Sequence, residues 1–341
     1  MIGGMKGPET KVLQLAITDG CDSHCVYCNF WRNKDPTHFR LENLERLFSV
    51  IGGESLELIC ITGGEPTEHP EVEKMIRKVS DISRQKVLLS SNCLDYDRLE
   101  RIIGGVGDRI HTISTSLDGC EEDHDRNRGV RGAYSNVMRA RNLARKNDIQ
   151  IKFAITVVEG NLKDVPRLLE EYTDESLDVK TASLSSAYYG NNTEKVNLIR
   201  QKTPIHSALF GHLREYYLGH DVKNLYTFYN GLFVKHGIRP VCTTGLTELF
   251  VFSNGDLYAC HSKSKLANFK EVSKGKLDAL RSEFHNTHSK CNECFARCSS
   301  SILQVLPEHY GRIAEEIVGR WRKGESAPEL EYLQQIRGPK D

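Results

Sequence analysis

Residues 12–28 read VLQLAITDGCDSHCVYC: an apolar run, Val12 to Thr18, with the composition of a β-strand, then Cys21, Cys25 and Cys28 with three and two residues between them. Three thiols crowded behind one strand need a chemical reason. Thiolates are soft ligands that suit iron-sulfur clusters and zinc, so the spacing points to a metal centre. Zinc would need four ligands in a closed tetrahedron, or three and an open position. His24 is either a fourth donor or an exposed loop residue.

Outward from this stretch, short Val- and Ile-rich runs alternate with segments of helical period. Strands are expected at Val12–Thr18, Leu56–Thr62, Lys86–Ser91, Arg109–Ser116, Ile149–Val158 and Val179–Leu184. Helices are expected near 41–51, 71–83, 96–103, 133–147 and 162–173, the last opened by Asn161 as N-cap. Six strands joined by helices imply a parallel sheet with right-handed crossovers, and a partial (β/α)6 TIM-like barrel fits best. In such a fold the loops after the C-terminal strand ends build the active site, which is where the cysteines lie.

At 341 residues the chain has room for one barrel-sized unit plus an appendage. Lys and Arg number 46 and so do Asp and Glu, a balance that disfavours nucleic acid and anionic membrane as partners. No window carries the run of about 18 apolar residues of a membrane span, and MIGGMKGPET lacks a secretory pattern. A cytoplasmic protein is expected, in which the eleven cysteines are not a disulfide framework.

The cysteines are unevenly placed. Beyond the first group come Cys242, then Cys260, then Cys291, Cys294 and Cys298 within eight residues. Two separated groups argue for two metal centres, and on spacing alone the second fits a zinc ribbon as well as a cluster. Asn254-Gly255, inside TELFVFSNGDLYAC, signals a tight hairpin that sets Cys260 opposite Leu249. Cys60 reads as a small buried hydrophobe; Cys93 and Cys120 carry no assignment. Residues 185–240 read as a helical connection, and the tail from 306 as one or two amphipathic helices.

Cys-x3-Cys-x2-Cys after the first barrel strand resembles the signature of the radical S-adenosylmethionine (SAM) superfamily. Thr62-Gly63-Gly64-Glu65-Pro66, after the second strand, is similar to that family's GGE segment. The resemblance implies that Cys21, Cys25 and Cys28 bind three irons of a 4Fe-4S cluster, leaving the fourth iron for SAM. It implies that the Gly63, Gly64 and Glu65 segment holds the SAM amino group, through close backbone approach and a charge-assisted hydrogen bond. Tyr27 matches the position of an aromatic near adenine, or packs against the barrel mouth. Ser90 and Asn92 after the third strand, and Ser116 after the fourth, contact SAM or cap turns. In the charged run His124–Gly129, Arg128 is the candidate near SAM or substrate, with Arg126 second.

The C-terminal pattern looks like a twitch domain, a shortened SPASM domain, with one auxiliary 4Fe-4S cluster on Cys242, Cys260, Cys291 and Cys294. Cys298 is then an alternative ligand or a free thiol able to donate hydrogen. The expected architecture is a radical SAM core barrel over 1–184, a helical connection over 185–240, a β-hairpin plus helix auxiliary-cluster domain over 241–305 and a helical tail over 306–341. The activity the resemblance implies is reductive cleavage of SAM to a 5'-deoxyadenosyl radical that abstracts hydrogen. A small sugar-like or aminocyclitol-like substrate oxidised by two electrons is favoured, with flavodoxin or ferredoxin as electron donor. Epimerisation with a cysteine donor is an alternative. Peptide maturation is another, disfavoured because the barrel begins within about a dozen residues of Met1, with no N-terminal peptide-recognition domain ahead of it. A zinc-stabilised binding module is the reading of a different class.

Overall fold

Strand β1 (Val12–Thr18) is buried along its whole length, as expected for a parallel strand covered on both faces. Its odd residues Leu13, Leu15 and Ile17 join the apolar core, while Gln14, Ala16 and Thr18 face the other way. The same division recurs in β2 (Leu58–Gly63), β3 (Val87–Ser90), β4 (Ile110–Ser116), β5 (Gln150–Val157) and β6 (Ser176–Thr181). One face gives Ile59, Ile61, Val87, Leu89, Ile113, Phe153, Ile155 and Val179 to the core. The opposite face carries Thr62, Ser90, Ser114, Ser116, Thr156 and Lys180, which line a cavity. The computed structural model describes residues 7–181, 189–195, 203–222, 225–236, 245–260, 263–288 and 307–332.

Helices α1 (Leu44–Ile51), α2 (Val72–Ser83), α3 (Tyr96–Val106), α4 (Glu121–Arg128), α5 (Ala133–Lys146) and α6 (Val165–Glu171) connect the strands. Their buried residues, among them Leu47, Ile51, Met75, Val79, Ile102, Val137 and Leu168, pack in the same core as the odd residues of β1. The sheet order β6-β5-β4-β3-β2-β1 is sequential and every adjacent pair is parallel. Sequential order with the helices packed on one face is the winding of a barrel; a doubly wound sheet reverses its order and covers both faces. The expected α/β partial barrel is therefore the observed fold.

Helix α4 was not anticipated. Its sequence, EEDHDRNR, has no apolar period, so its signal is electrostatic. Three acids occupy its first turn and two arginines its last, matching the helix dipole, and Gly129 ends it in the left-handed region at φ +66°. Asn161 does not cap α6. Its side chain accepts from Val158 N (2.8 Å) and donates to Asp118 O (2.6 Å) and Thr156 O (3.0 Å), tying the ends of β4 and β5 together. Strand β6 lies three residues earlier than expected, starting at Ser176; residues 182–184 are outside the described set.

Strands β7 (Glu248–Val251) and β8 (Asp256–Tyr258) form the expected hairpin, and β7 pairs in parallel with β1, so the hairpin extends the barrel sheet. Its register is one residue off the expected one: Phe250 faces Tyr258 and Val251 faces Leu257. The reason is the turn. Phe252 N bonds Asp256 O (3.0 Å) and Gly255 N bonds Phe252 O (2.8 Å), a three-residue loop with Gly255 at φ +89°. The shift moves Cys260 off Leu249, and a one-residue slip changes which face each side chain occupies. Strand β9 (Ala267–Asn268) completes the sheet.

Helices α7 (Thr203–Gly219) and α8 (Leu225–His236) cover the far edge, where Thr227 Oγ1 donates to Leu177 O (2.7 Å) and accepts from Val179 N (3.0 Å) on β6. Helix α9 (Lys274–His288) follows β9, with Arg281 fully buried and bonded to Gly245 O, Leu246 O and Thr10 Oγ1. Helix α10 (Pro307–Arg322) is more than a surface element: Trp321 packs on Phe210 and Phe228. No helix among the described residues is long and apolar enough to cross a membrane.

Candidate active site

The loop after β1 is held from three sides. From below, β2 ends in Gly63-Gly64-Glu65, and Gly64 N bonds Thr18 O (2.9 Å) while Glu65 N bonds Gly20 O (2.8 Å). These contacts explain both glycines. A Cβ on Gly63 would sit 2.3 Å from Thr18 O, and one on Gly64 would sit 2.1 Å from Gly20 O. The close approach they permit is between two protein loops, one of which carries the cysteines. From the side, the end of α4 accepts from the loop: His24 N bonds Arg128 O (2.9 Å) and Val26 N bonds Asn127 O (3.0 Å). The third side is residues 189–195.

One cavity of about 740 Å³, counted to its open mouth, gathers Cys21, Cys25, Cys28, Tyr27, Gly63, Gly64, Glu65, Ser90, Asn92, Ser116 and Arg128. The cavity thus gathers these candidates in one place; His24, the candidate fourth donor, and Arg126, the second arginine candidate, are not in its lining, and Arg126 pairs instead with Asp123. Cys260 is buried beside Phe250 and Phe284, away from that lining. Cys242, Cys291, Cys294 and Cys298 lie outside the described residues. Cys60 is buried, as expected, and so is Cys93. Cys120 lies with Asp123 and Asp164, and Asp123 already pairs with Arg126 and Lys163.

Glu65 is 1 % exposed, and its carboxylate accepts from Thr67 N (3.0 Å), Ser91 Oγ (2.9 Å) and Asn92 N (2.6 Å). Burial, with the nearby Asp22 carboxylate, nevertheless pushes it up to about 7. A cation placed against it in the cavity would draw it back to the ionised form. Asn92 is committed at its side chain, donating to Asp22 Oδ1 (2.6 Å).

On the opposite wall Arg128, 6 % exposed, sends Nη1 to Cys25 Sγ (3.5 Å), pairs through Nη2 with Asp118 Oδ2 (2.8 Å) and lies over the Tyr27 ring at 5.5 Å. Its Nε is buried with no hydrogen-bond partner. Asp118, wholly buried, also accepts from Thr156 N (2.9 Å) and from the Tyr27 hydroxyl (3.5 Å). It is the hub of this wall and had no assigned role in the sequence reading. Its signal was only its position after β4, shared with many turn-forming aspartates. Lys180 and Tyr189, which also line the cavity, were likewise missed.

The three thiols fit an iron-sulfur cluster better than a single ion. Zinc-bound thiolates at about 2.3 Å from the metal lie roughly 4 Å apart. Among the described residues, the group of metal-ligand atoms that converges within 4.8 Å is Cys120–Asp123–Asp164, not the cysteine loop. Burial pushes Cys28 up to about 12 and Cys21 well above the usual thiol range, so a bound metal would have to draw both to the thiolate form. Arg128 Nη1 donates to Cys25 Sγ, and Ser23 Oγ lies 3.1 Å from the same sulfur while donating to Arg128 O (3.2 Å).

Residues 15–171 match the profile of the Radical SAM superfamily. A GTP 3',8-cyclase of Rhizobium leguminosarum bv. trifolii is 26 % identical over 182 residues, 51 % of either chain. An AdoMet-dependent heme synthase of Methanosarcina barkeri is 23 % identical over 163 residues, 47 % of this chain and 46 % of that one. The chain thus spans about half the length of the curated relatives it matches. Among solved structures, anSMEcpe with bound AdoMet and Cp18Cys peptide superposes with a TM-score of 0.62 at 17 % identity, over 91 % of this chain and 100 % of that one. Streptococcus suis SuiB bound to S-adenosylmethionine gives 0.58 at 15 % identity, over 84 % and 72 %. These two likenesses concern the fold. The matched span, somewhat under half of the chain, runs from β1 through α6, across the cysteine loop, the Gly63–Glu65 turn and Arg128, and over it the chain is similar to the Radical SAM superfamily.

Proposed function

We propose that this protein is a cytoplasmic enzyme that cleaves SAM reductively and takes a hydrogen atom from a small, hydroxylated substrate of sugar or aminocyclitol type. The net reaction is a two-electron oxidation of an alcohol. When bound, a reduced 4Fe-4S cluster on Cys21, Cys25 and Cys28, together with SAM, supplies the 5'-deoxyadenosyl radical. The observation that carries the reading is the meeting of these cysteines with Glu65 and Arg128 at the mouth of one polar cavity.

The chain's own residues divide the work. Glu65 binds the SAM ammonium, and its three donors orient it. Arg128, fixed by Asp118, keeps a positive charge at the Cys25 thiolate. Ser90 and Ser116 offer hydroxyls to the SAM carboxylate and ribose, and Tyr27 its ring to adenine, while Asn92, committed to Asp22, Leu94 N and Glu65, shapes the wall beside them. At the ends of β4, β5 and β6, Ser114, Thr156 and Lys180 add hydroxyls and a cation to the lining, which favours a substrate with polar groups. Enclosure at the strand ends holds the substrate carbon near the radical and away from water. Cys242, Cys260, Cys291 and Cys294 would hold an auxiliary 4Fe-4S cluster in 241–305, which would supply an acceptor for the electron left on the substrate after hydrogen-atom abstraction; a flavodoxin or ferredoxin would supply the separate electron that cleaves SAM.

The test is iron and sulfide content with Mössbauer spectroscopy on anaerobically reconstituted protein, and on a variant with Cys21, Cys25 and Cys28 changed to Ala. About eight irons falling to about four is the expected result. Four falling to none removes the auxiliary acceptor, and with it the oxidation. Deoxyadenosine formation with candidate sugars and peptides tests the substrate class; activity with peptides alone overturns it.

A further inference from the structure

Residues 189–195, within the stretch 185–240 read from sequence as a helical connection, lie against the cysteine loop and contact it through Tyr189, Gly190, Asn191, Asn192, Glu194 and Lys195. Tyr189 O accepts from Asn29 N (3.0 Å), and the Tyr189 ring meets Tyr27 edge-on at 5.8 Å. Gly190, at φ +62°, lets the two backbones touch: a Cβ there would sit 2.8 Å from Phe30 N. The buried Asn192 donates to Tyr27 O (2.8 Å), and Lys195 Nζ donates to Val26 O (2.7 Å). Glu194 receives Asn29 Nδ2 (2.9 and 3.0 Å) and Arg32 Nη1 (2.7 Å).

Trp31 Nε1 takes Cys28 O (2.9 Å), so the carbonyls of Val26, Tyr27 and Cys28 all have donors, two of them from this segment. A loop whose carbonyls are engaged on its outer side is held in one conformation, and ligands that must meet a rigid cluster need that. Lys195 adds charge. Its ammonium is anchored on the residue after Cys25 and two before Cys28.

We propose that Tyr189–Lys195 is a strap that positions Cys25 and Cys28, and that the Lys195 ammonium offsets the negative charge of the cluster they hold. The inference rests on the cluster reading given above. Net charge and outer-sphere hydrogen bonds set iron-sulfur potentials, so the positioning residue Lys195 has a signature that simple folding does not.

The experiment is an EPR-monitored reductive titration of the SAM-responsive signal in reconstituted wild type, Lys195→Met and Lys195→Arg. Lys195→Met moves the midpoint to more negative potential and Lys195→Arg restores it. An unchanged midpoint in Lys195→Met overturns the charge role. Should Lys195→Met fail to fold, Glu194→Gln reads the strap at an exposed position. It is expected to lose iron to EDTA several-fold faster and, as iron-free protein, to exchange the Asn29 amide faster than wild type. Equal rates in both measurements overturn the strap. Amide exchange needs no cluster: a wild type that takes up no iron but whose Asn29 exchange is accelerated by Glu194→Gln refutes the proposed function and supports the strap.

Discussion

Replacing Gly64 by Ala adds a single methyl where the loops after β1 and β2 cross. That methyl would stand 2.1 Å from Gly20 O, 2.7 Å from Gly20 C and 3.1 Å from Cys21 Cβ. Two of these atoms are backbone, so no side-chain rotation relieves the clash and the loops must separate. Separation weakens the hydrogen bonds Gly64 N to Thr18 O and Glu65 N to Gly20 O, worth about 1 kcal/mol each. Expansion of a packed contact adds about 1–3 kcal/mol. The expected loss is about 3–5 kcal/mol, read as a lowered urea midpoint at unchanged slope in the iron-free protein. Because Cys21 moves with Gly20, iron uptake also falls. Gly104→Ala is the matched control: exposed in α3 with nothing near its Cβ, it should stabilise the protein by about 0.5–1 kcal/mol. If Gly64→Ala unfolds within about 1 kcal/mol of wild type and takes up full iron, the account of these loops is wrong.

Other expectations follow from the buried wall of the cavity. Asp118→Asn leaves the Arg128 guanidinium buried without its counter-ion, at a cost of about 3–5 kcal/mol; adding Arg128→Met should recover part of it, and thermal unfolding of the single and double variants decides. Glu65→Gln should weaken SAM binding by roughly 10- to 100-fold, the worth of a hydrogen bond to a charged group; equilibrium dialysis against cluster-loaded protein measures it, and unchanged affinity removes Glu65 from the amino-group site. His124 is buried and accepts from Asp118 N at 3.0 Å, and burial drives it from 6.5 down to about 4. The unfolded chain therefore takes up the proton first as pH falls. The stabilisation is complete above about pH 6.5 and is lost progressively toward pH 4, about 3 kcal/mol in all. His124→Asn, which keeps an acceptor, should flatten that part of the pH profile of urea stability, and an identical profile in both proteins would exclude His124 as its source.

The strands were legible because each is short, β-branched and followed by a helical period, and that alternation constrains the sheet order. The cysteine loop and Gly63-Gly64-Glu65 were legible because their chemistry is written within a few consecutive residues. Helix α4 was not, since a helix of charged residues has no hydrophobic period to read. Its acids and arginines are arranged for the dipole, and that arrangement also brings Arg128 to Cys25. The hairpin position was readable but its register was not, because Asn-Gly serves two-residue and three-residue loops alike, and here Gly255 takes the left-handed site of the longer one.

From the sequence alone come the barrel class, the three-thiol loop at a strand end and the carboxylate after the second strand. These depend on neighbours close along the chain, where spacing and chemistry are set by covalent connection. Tertiary structure alone decides that Asp118 anchors Arg128, that the paired glycines serve the contact of two loops, and that Tyr189–Lys195 meets Val26–Asn29. Those contacts join residues from ten to more than a hundred and sixty positions apart, and they exist only because β1, β2, β4 and β6 place their C-terminal ends around one mouth.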